Sequence, residues 1–425
     1  MESAAPGPQP PRTGFGPGPA LLAVAAFGLY WLSSLVLEAR AGTLAFGADT
    51  WVYADLANGR ILERIGTDYL HDRIIRFHPL TVALAAVWME VLAPLSTWIE
   101  PRSLLKAMFA AAGAVGVWAA MRAFAAVVPG RLVLPLGAVY ALTLGVWYFS
   151  SVEESKAVTA ALAALYIATW LHLRTRWSAR GALLLTAILL VACLNEIVAA
   201  FLAVIPAVDT LVRRGWNVLR HGRWIAWHGL AAPAAFVLLE TAIKGRLVGA
   251  GPDAENASHV SMLVHYLTQN DLGWASLTTF LLNWLFFNVA APALATSHAL
   301  PAQPGYTAYF EPALGGYFAS PVSAALLLLL VAIPVASLLP RLRGDRPADL
   351  AGILPALAAY AFVRGAFFFL INPGESMLFA SGATLAHLLL VGMPLAASRL
   401  PAKRETLVAL ALLLLVVNGT FILGV

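Results

Sequence analysis

Runs of mostly apolar residues, separated by short polar segments, fill most of this chain. The twelve runs are 19–37, 78–98, 104–128, 132–150, 157–173, 181–212, 224–243, 276–296, 321–340, 350–371, 377–397 and 406–424. A helix of about 20 mostly apolar residues crosses a bilayer. The pattern therefore predicts an all-α polytopic membrane protein, in which the run 181–212 is long enough for two short spans.

Composition excludes the soluble and disordered classes. Of the 425 residues, 60% are hydrophobic and 12% are charged, and the mean hydropathy is +0.79. Soluble domains are about 45–50% apolar and about 25% charged, and disordered chains combine low hydrophobicity with high charge. The single cysteine, Cys193, permits no disulfide within the chain.

Positive charge gives the expected orientation. Arginine and lysine cluster at 174–180, 213–223, 341–346 and 399–404, and such clusters mark cytoplasmic loops. Because the formal net charge of +5 has this explanation, and no basic stripe interleaved with aromatic residues accompanies it, we expect no nucleic-acid partner.

The same clusters constrain the path of the chain. The run 181–212 lies between two of them, so it should go out and back, turning near Asn195 and Glu196. If all four basic clusters are cytoplasmic, the segments 38–103 and 244–320 must lie outside. The apolar runs 78–98 and 276–296 within them are then predicted to be embedded helices, and whether they cross the whole bilayer is left open. This gives about eleven spans, with the amino terminus inside.

Four regions follow from this path. Residues 1–18 are predicted to form a disordered cytoplasmic tail, and 19–243 a catalytic membrane module that contains the first outer loop 38–103. Residues 244–320 are predicted to form a second large outer loop with its embedded helix, and 321–425 the last transmembrane helices.

Polar side chains concentrate in the first outer loop. Asp49 would begin a helix, where the helix dipole keeps a carboxylate ionised, and Tyr53 would share its face four residues on. Further along, Arg73, Arg76 and His78 precede the embedded helix, and guanidinium groups suit phosphate. A solvated helix cap and contacts with lipid headgroups are the alternatives.

The turn 150–156 is the second concentration, with Glu153, Glu154 and Lys156 between two apolar runs. Adjacent helical residues face about 100° apart, so at most one of the two glutamates should point inward. Together with Asp49, such a carboxylate could form a general base, or bind a divalent metal and a phosphate-linked donor; a solvated loop is the alternative. The deepest charge is Arg364, for which Glu240 is a possible partner.

The order of these parts carries a resemblance. Asp-Thr-Trp-Val-Tyr-Ala-Asp-Leu at 49–56 follows one span, His-Pro-Leu at 78–80 begins an embedded helix, and an acidic turn comes two spans later. A helical pair before an arginine-rich loop follows at 181–212. This resembles the integral-membrane glycosyltransferases of the GT-C superfamily, in the branch with the protein mannosyltransferases and the lipid A aminoarabinose transferase.

The resemblance implies a GT-C-like fold and transfer of a hexosyl or pentosyl group. The donor would be a sugar on a polyprenyl phosphate, the acceptor a lipid or glycan, and the setting the outer face of a bacterial inner membrane. By similarity Asp49 is the base, with Asp55 as fallback, and the second acid is Glu153 or Glu154. Substrate-binding roles would fall on Tyr53, Asp55, Arg73, Arg76, His78 and Lys156.

Two departures affect what the resemblance implies. Thr50 stands where many relatives have a second acid, and the chain ends at a span, so an acceptor protein that needs a large docking domain is less expected. The need for a metal stays open. A transporter or lipid flippase is the alternative function; it predicts repeats and charges at the membrane midplane. A non-enzymatic scaffold is a further one.

Overall fold

In the computed structural model, the described residues cover most of the membrane helices. They are 17–41, 50–59, 77–174, 177–215, 227–231, 233–234, 237, 241, 267–268, 272–291, 295–298, 309–312, 314–342, 352–374 and 376–424.

Helices make up nearly all of these residues, as the pattern predicts. They are α1 (Gly18–Ala41), α2 (Thr50–Ala57), α3 (Pro79–Leu92), α4 (Pro101–Val127), α5 (Gly130–Leu142), α6 (Leu144–Phe149), α7 (Lys156–Leu173), α8 (Ala179–Asn195), α9 (Val204–Arg214), α10 (Trp274–Leu281), α11 (Pro321–Leu342), α12 (Ile353–Ile371), α13 (Ser376–Ala380), α14 (Thr384–Ala397) and α15 (Lys403–Gly424). Two short strands, β1 (Ala295–His298) and β2 (Tyr309–Pro312), pair antiparallel.

Seven helical segments within the described residues are long and apolar enough to cross a membrane. They are Gly18–Ala39, Pro79–Thr97, Pro101–Val127, Lys156–Leu173, Ile353–Ile371, Ser376–Ala397 and Lys403–Leu423. The chain is thus an integral membrane protein with several spans. The count of about eleven stays a prediction, as does the question of whether 78–98 and 276–296 cross.

The centre of the bundle is α4, which packs against α1, α5 and α7. Small residues on α4 allow this close approach: a side chain at Gly113 would meet Ser150 and Tyr30, and one at Gly116 would lie 3.4 Å from Ala161 Cα. Small residues at helix contacts are typical of membrane bundles.

Two predicted helical runs are interrupted, which corrects the sequence interpretation. The run 132–150 divides at Thr143 into α5 and α6, and the helix predicted for 276–296 ends at Phe287 after one π-helical turn. The interruptions lie side by side, since Leu144 N donates to Val289 O at 3.0 Å and Gly145 N donates to Asn288 O at 2.8 Å. Each break therefore supplies hydrogen-bond partners for the other.

Asn418 of α15 bonds to both interruptions. Its Nδ2 donates to Leu142 O at 2.7 Å and to Val289 O at 3.0 Å, and its Oδ1 accepts from Ala291 N at 2.8 Å. In an apolar environment backbone groups need such partners. An asparagine inside a long apolar run thus makes two non-helical breaks possible.

The return predicted for 181–212 is confirmed. Helix α8 ends at Asn195, a short 3₁₀ helix (Ile197–Ala203) follows, and α9 leads back. The return brings Arg213 Nη2 to 3.0 Å from the carbonyl oxygen of Arg174, at the end of α7. Asp209, buried there, accepts from Arg174 at 2.8 Å and from Arg213 at 2.7 Å.

Because successive helices run in opposite directions, the bundle has two distinct ends. The arginine–aspartate cluster marks one end, and the start of α12 lies beside it, since a side chain at Gly352 would meet Asp209. At the opposite end lie the last turn of α1, the first turns of α3, α4 and α7, and the last turn of α8, which together form the candidate site.

Gly113 gives a test of the central packing. We expect Gly113→Ala to destabilise the protein by about 1–3 kcal/mol, because the added methyl group would overlap Ser150 and lie 2.9 Å from Tyr30 Cδ2. Gly28→Ala is the matched control, since a Cβ there has nothing within 4 Å. Thermal unfolding in detergent measures both, and equal melting temperatures for the two variants would contradict this packing.

Candidate active site

The turn between α6 and α7 is the centre of the candidate site. The Ser150 and Ser151 hydroxyls donate to Val146 O at 2.6 Å and Trp147 O at 2.9 Å, which satisfies the last carbonyl groups of α6. Glu153 and Glu154 follow in non-helical turn conformation, 2% and 3% exposed. The expectation that at most one glutamate points inward is therefore wrong, because the helical spacing of 100° does not apply to a turn. The solvated-loop alternative is wrong as well.

Glu153 belongs to a chain of buried ion pairs. Arg102 Nε donates to Glu153 Oε1 at 2.7 Å, and Arg102 Nη1 lies 3.1 Å from Glu38 Oε1. Lys106, one helical turn further along α4, bonds to the other oxygen of Glu38. These contacts join the end of α1, the start of α4 and the turn, so the position of Glu153 is set by Arg102.

Glu154 bonds to its neighbour Ser155. Its Oε1 accepts from Ser155 Oγ at 3.2 Å. Because Ser155 immediately precedes α7, the Glu154 carboxylate lies at the amino end of that helix. A carboxylate is favoured there by the helix dipole.

Lys156 forms a second buried cluster with Glu196 and Arg364. Lys156 Nζ lies 3.5 Å from Glu196 Oε1, and Arg364 Nη2 lies 2.8 Å from Glu196 Oε2. Arg364 is 0% exposed. Its suggested partner Glu240 lies outside the described residues, and the ion pair that the structure describes is with Glu196.

Glu196 stays ionised in this cluster. It lies in the connection after α8, outside the candidate spans. Burial alone raises its pKa, but the positive charges of Arg364 and Lys156 outweigh burial and lower the pKa to about 2. The cluster therefore holds one negative charge between two positive ones.

Asn195, the preceding residue, connects helix α3 to the same cluster. Its carbonyl oxygen accepts from His78 Nδ1 at 2.6 Å, and its side-chain Oδ1 accepts from the Thr81 hydroxyl. Its Nδ2 donates to Ser155 O at 3.3 Å and to Thr159 Oγ1 at 2.8 Å. Two predicted substrate-binding residues, His78 and Lys156, are thus held by adjacent residues of one connection.

The first-loop helix α2 packs beside this region. Tyr53 is fully buried in an apolar cluster with Val82, Leu105 and Phe109, and its ring lies 5.4 Å from that of Phe109. Asp55, on the same helix, is partly exposed. The predicted Asp49, Arg73 and Arg76 lie outside the described residues, so their roles stay predictions.

Sequence reasoning selected Glu196, as one of the few charges within the apolar runs, but not four other residues of these clusters: Glu38, Arg102, Lys106 and Asn195. Arg102 and Lys106 could have been found from their spacing, because two basic residues four positions apart at the start of an apolar run share a helix face. Among the described residues, no group of three or more His, Cys, Asp or Glu side chains could hold a metal ion.

Comparison with solved structures identifies the fold. ArnT from Cupriavidus metallidurans bound to undecaprenyl phosphate superposes with a TM-score of 0.50 at 16% sequence identity, over 92% of this chain and 62% of that chain. The apo state of the same protein gives a TM-score of 0.39 at 14% identity, over 89% of this chain and 77% of that chain. No protein-family model and no curated protein matches the sequence.

This likeness confirms the predicted fold class. The chain has an all-α, polytopic fold similar to that of ArnT over 92% of its length. It spans about 62% of the length of that protein.

Arg102 gives a test of the first buried cluster. We expect Arg102→Met to destabilise the protein by about 3–5 kcal/mol, because Glu153 would lose its guanidinium partner while remaining buried. Arg122→Met is the matched control on the same helix, since Arg122 is exposed. Chemical unfolding in detergent measures both variants, and a loss for Arg122→Met as large as that for Arg102→Met would contradict this assignment.

Proposed function

We propose that this protein is a glycosyltransferase that uses a polyprenyl-phosphate-linked sugar as donor. The observation that carries the proposal is the meeting of three predicted outer segments at one end of the bundle. They bring buried carboxylates and buried basic groups together: Glu153, Glu154, Lys156, Glu196 and His78. The similarity in fold to a protein solved with undecaprenyl phosphate supports the same class of lipid donor.

The reaction is a displacement at the anomeric carbon of the sugar. The acceptor oxygen forms a bond to that carbon while the bond from the carbon to the phosphate oxygen breaks. The electron pair leaves with the lipid phosphate, and the acceptor proton passes to a carboxylate, for which we propose Asp49 with Asp55 as fallback. A positioned base contributes about 10²–10⁴-fold to such a step.

Positive groups near the start of α3 and α7 suit the departing phosphate. Lys156 and His78 are held together through Asn195 and Glu196, and charge-assisted bonds to phosphate are stronger than neutral ones. We propose Arg73 and Arg76 as further phosphate ligands and Tyr53 as a substrate-binding residue, as the resemblance implies.

The lipid chain of the donor has a place beside this site. Helix α3 begins directly after His78, and its Leu84, Val87 and Val91 are exposed. In a membrane these side chains contact lipid, so a polyprenyl chain can lie along α3 while its phosphate reaches His78. We propose that this end of the bundle faces outward from a bacterial inner membrane, with the amino terminus cytoplasmic and a lipid or glycan as acceptor.

A transporter or lipid flippase is the second candidate. Its main support in the sequence is Arg364, the deepest charge. In the structure Arg364 bonds to Glu196, in the same cluster as Lys156, which favours a role at the transferase site. The two functions differ chemically, because transport leaves the bond between sugar and phosphate intact.

The test is donor cleavage by the full chain in lipid vesicles. The vesicles contain undecaprenyl-phosphate-linked pentoses and hexoses and a lipid extract as acceptor, and mass spectrometry measures the undecaprenyl phosphate released. We expect release by the wild type and a loss of about 10²–10⁴-fold in Asp49→Asn, because the acceptor proton loses its base.

Glu405→Gln is the matched control for that experiment, because Glu405 is an exposed carboxylate in the first turn of α15, a helix that contributes no residue to the candidate site. It should release undecaprenyl phosphate at the wild-type rate. Movement of an intact donor across the bilayer without cleavage would instead establish the transporter. Loss of cleavage in Asp55→Asn with full cleavage in Asp49→Asn would move the base to Asp55.

Glu153 and Glu154 should separate in their effects. We expect Glu153→Gln to lower the melting temperature, because it removes the charged partner of Arg102. Glu154→Gln should lower the cleavage rate about 10²-fold or more, because we propose Glu154 as the second acid. Unfolding and cleavage are measured on the same preparations; the reverse pattern would assign the chemical role to Glu153.

A further inference from the structure

Glu196 stands between a fixed cation and a predicted phosphate ligand. Arg364 is held on several sides: its Nε and Nη2 donate to Phe379 O, both at 3.2 Å, and its guanidinium carbon lies 5.1 Å from the centre of the Phe368 ring. One oxygen of Glu196 bonds to this immobile group at 2.8 Å. The orientation of the carboxylate is therefore set by Arg364.

The other oxygen of Glu196 then faces Lys156. The distance from Glu196 Oε1 to Lys156 Nζ is 3.5 Å, longer than the bond to Arg364. The ammonium group also lies 4.7 Å from the centre of the Phe379 ring, a favourable cation–π position. The contacts with Glu196 and Phe379 thus define where the Lys156 ammonium group lies. Because an ammonium group has three N–H donors, it can bond to a further acceptor.

Lys156 needs such a counter-charge. It is the first residue of α7, and a positive charge is disfavoured at the amino end of a helix. It is also buried, 3% exposed. Without a nearby carboxylate, a flexible lysine at this position would turn toward water.

We propose that Glu196 is a positioning residue, which acts through Lys156 to hold its ammonium group where the donor phosphate binds. The inference rests on the proposed function and adds a role for a residue outside both the first outer loop and the turn 150–156. Glu196 itself touches neither the phosphate nor the sugar. Its contribution to phosphate binding should therefore disappear when Lys156 is absent.

A double-mutant cycle tests this dependence. The full chain in lipid nanodiscs is titrated with undecaprenyl phosphate, and native mass spectrometry gives the dissociation constant for the wild type, Lys156→Met, the pair Glu196→Gln with Arg364→Gln, and all three changes together. The double substitution of Glu196 and Arg364 removes both members of the shortest ion pair in the cluster, so it does not leave Arg364 as an unpaired buried charge.

We expect Lys156→Met to weaken binding about tenfold or more, since it removes a charge-assisted bond. The pair should weaken it by a smaller factor, and the triple variant should bind like Lys156→Met within about twofold, because residues that act through one another are not additive. Independent, purely structural effects would multiply. Multiplied losses, or wild-type binding by the pair, would overturn the proposal.

Asp209→Asn controls for general loosening, because Asp209 is a buried carboxylate with two arginine partners at the opposite end of the bundle. It should bind undecaprenyl phosphate like the wild type. If the pair does not fold, Glu196→Asp replaces it in the cycle, since it keeps the charge with a shorter reach.

The outcomes separate this inference from the proposed function. A wild type that neither binds undecaprenyl phosphate nor cleaves the donor would overturn both. A wild type that does both, together with multiplied losses in the cycle or full binding by Lys156→Met, would overturn the positioning role alone.

Discussion

Polar groups placed in an apolar bundle must find partners within the protein, and this constraint accounts for where the chain stops being helical. Backbone groups freed at Thr143 and after Phe287 bond to each other and to Asn418. In lipid an unsatisfied backbone group costs several kcal/mol, so neither break could exist alone. The break after α8 follows the same rule, with Asn195 bonding to Thr81 of α3 and Thr159 of α7.

The constraint applies more strictly to charged side chains, which form ion-pair clusters at the two ends of the bundle. Arg174, Asp209 and Arg213 close one end with a compact, mutually satisfied cluster. The opposite end has two longer chains of ion pairs, Lys106–Glu38–Arg102–Glu153 and Lys156–Glu196–Arg364. Buried ion pairs contribute little net stability compared with apolar packing. Their concentration lies at the end where we propose that the reaction takes place.

More of the fold than of the candidate site could be predicted from the sequence. Apolar run length gave α1, α4, α7, α12 and α15 closely, and charge clusters gave the return of 181–212. Run length could not show the breaks at Thr143 and Phe287, because these depend on residues such as Asn418, more than 100 positions away in the chain. The pairing of Arg364 with Glu196 across 168 positions was equally out of reach. Local spacing rules failed at Glu153 and Glu154, because a turn bonded through Ser150 and Ser151 replaced the assumed helix.

The position of the site at a bundle end follows from the nature of the proposed donor. A polyprenyl chain stays in the hydrocarbon region, whereas its phosphate and sugar stay in the interface. A protein that acts on the bond between them needs an apolar lipid-facing surface and buried charges within a few residues of each other. Helix α3 meets both needs: Leu84, Val87 and Val91 are exposed, and His78, which directly precedes the helix, is bonded to Asn195 beside Lys156 and Glu196. Helix α3 and the ion-pair network are therefore linked, because Asn195 bonds to the start of α3 and the adjacent Glu196 bonds to Lys156 and Arg364.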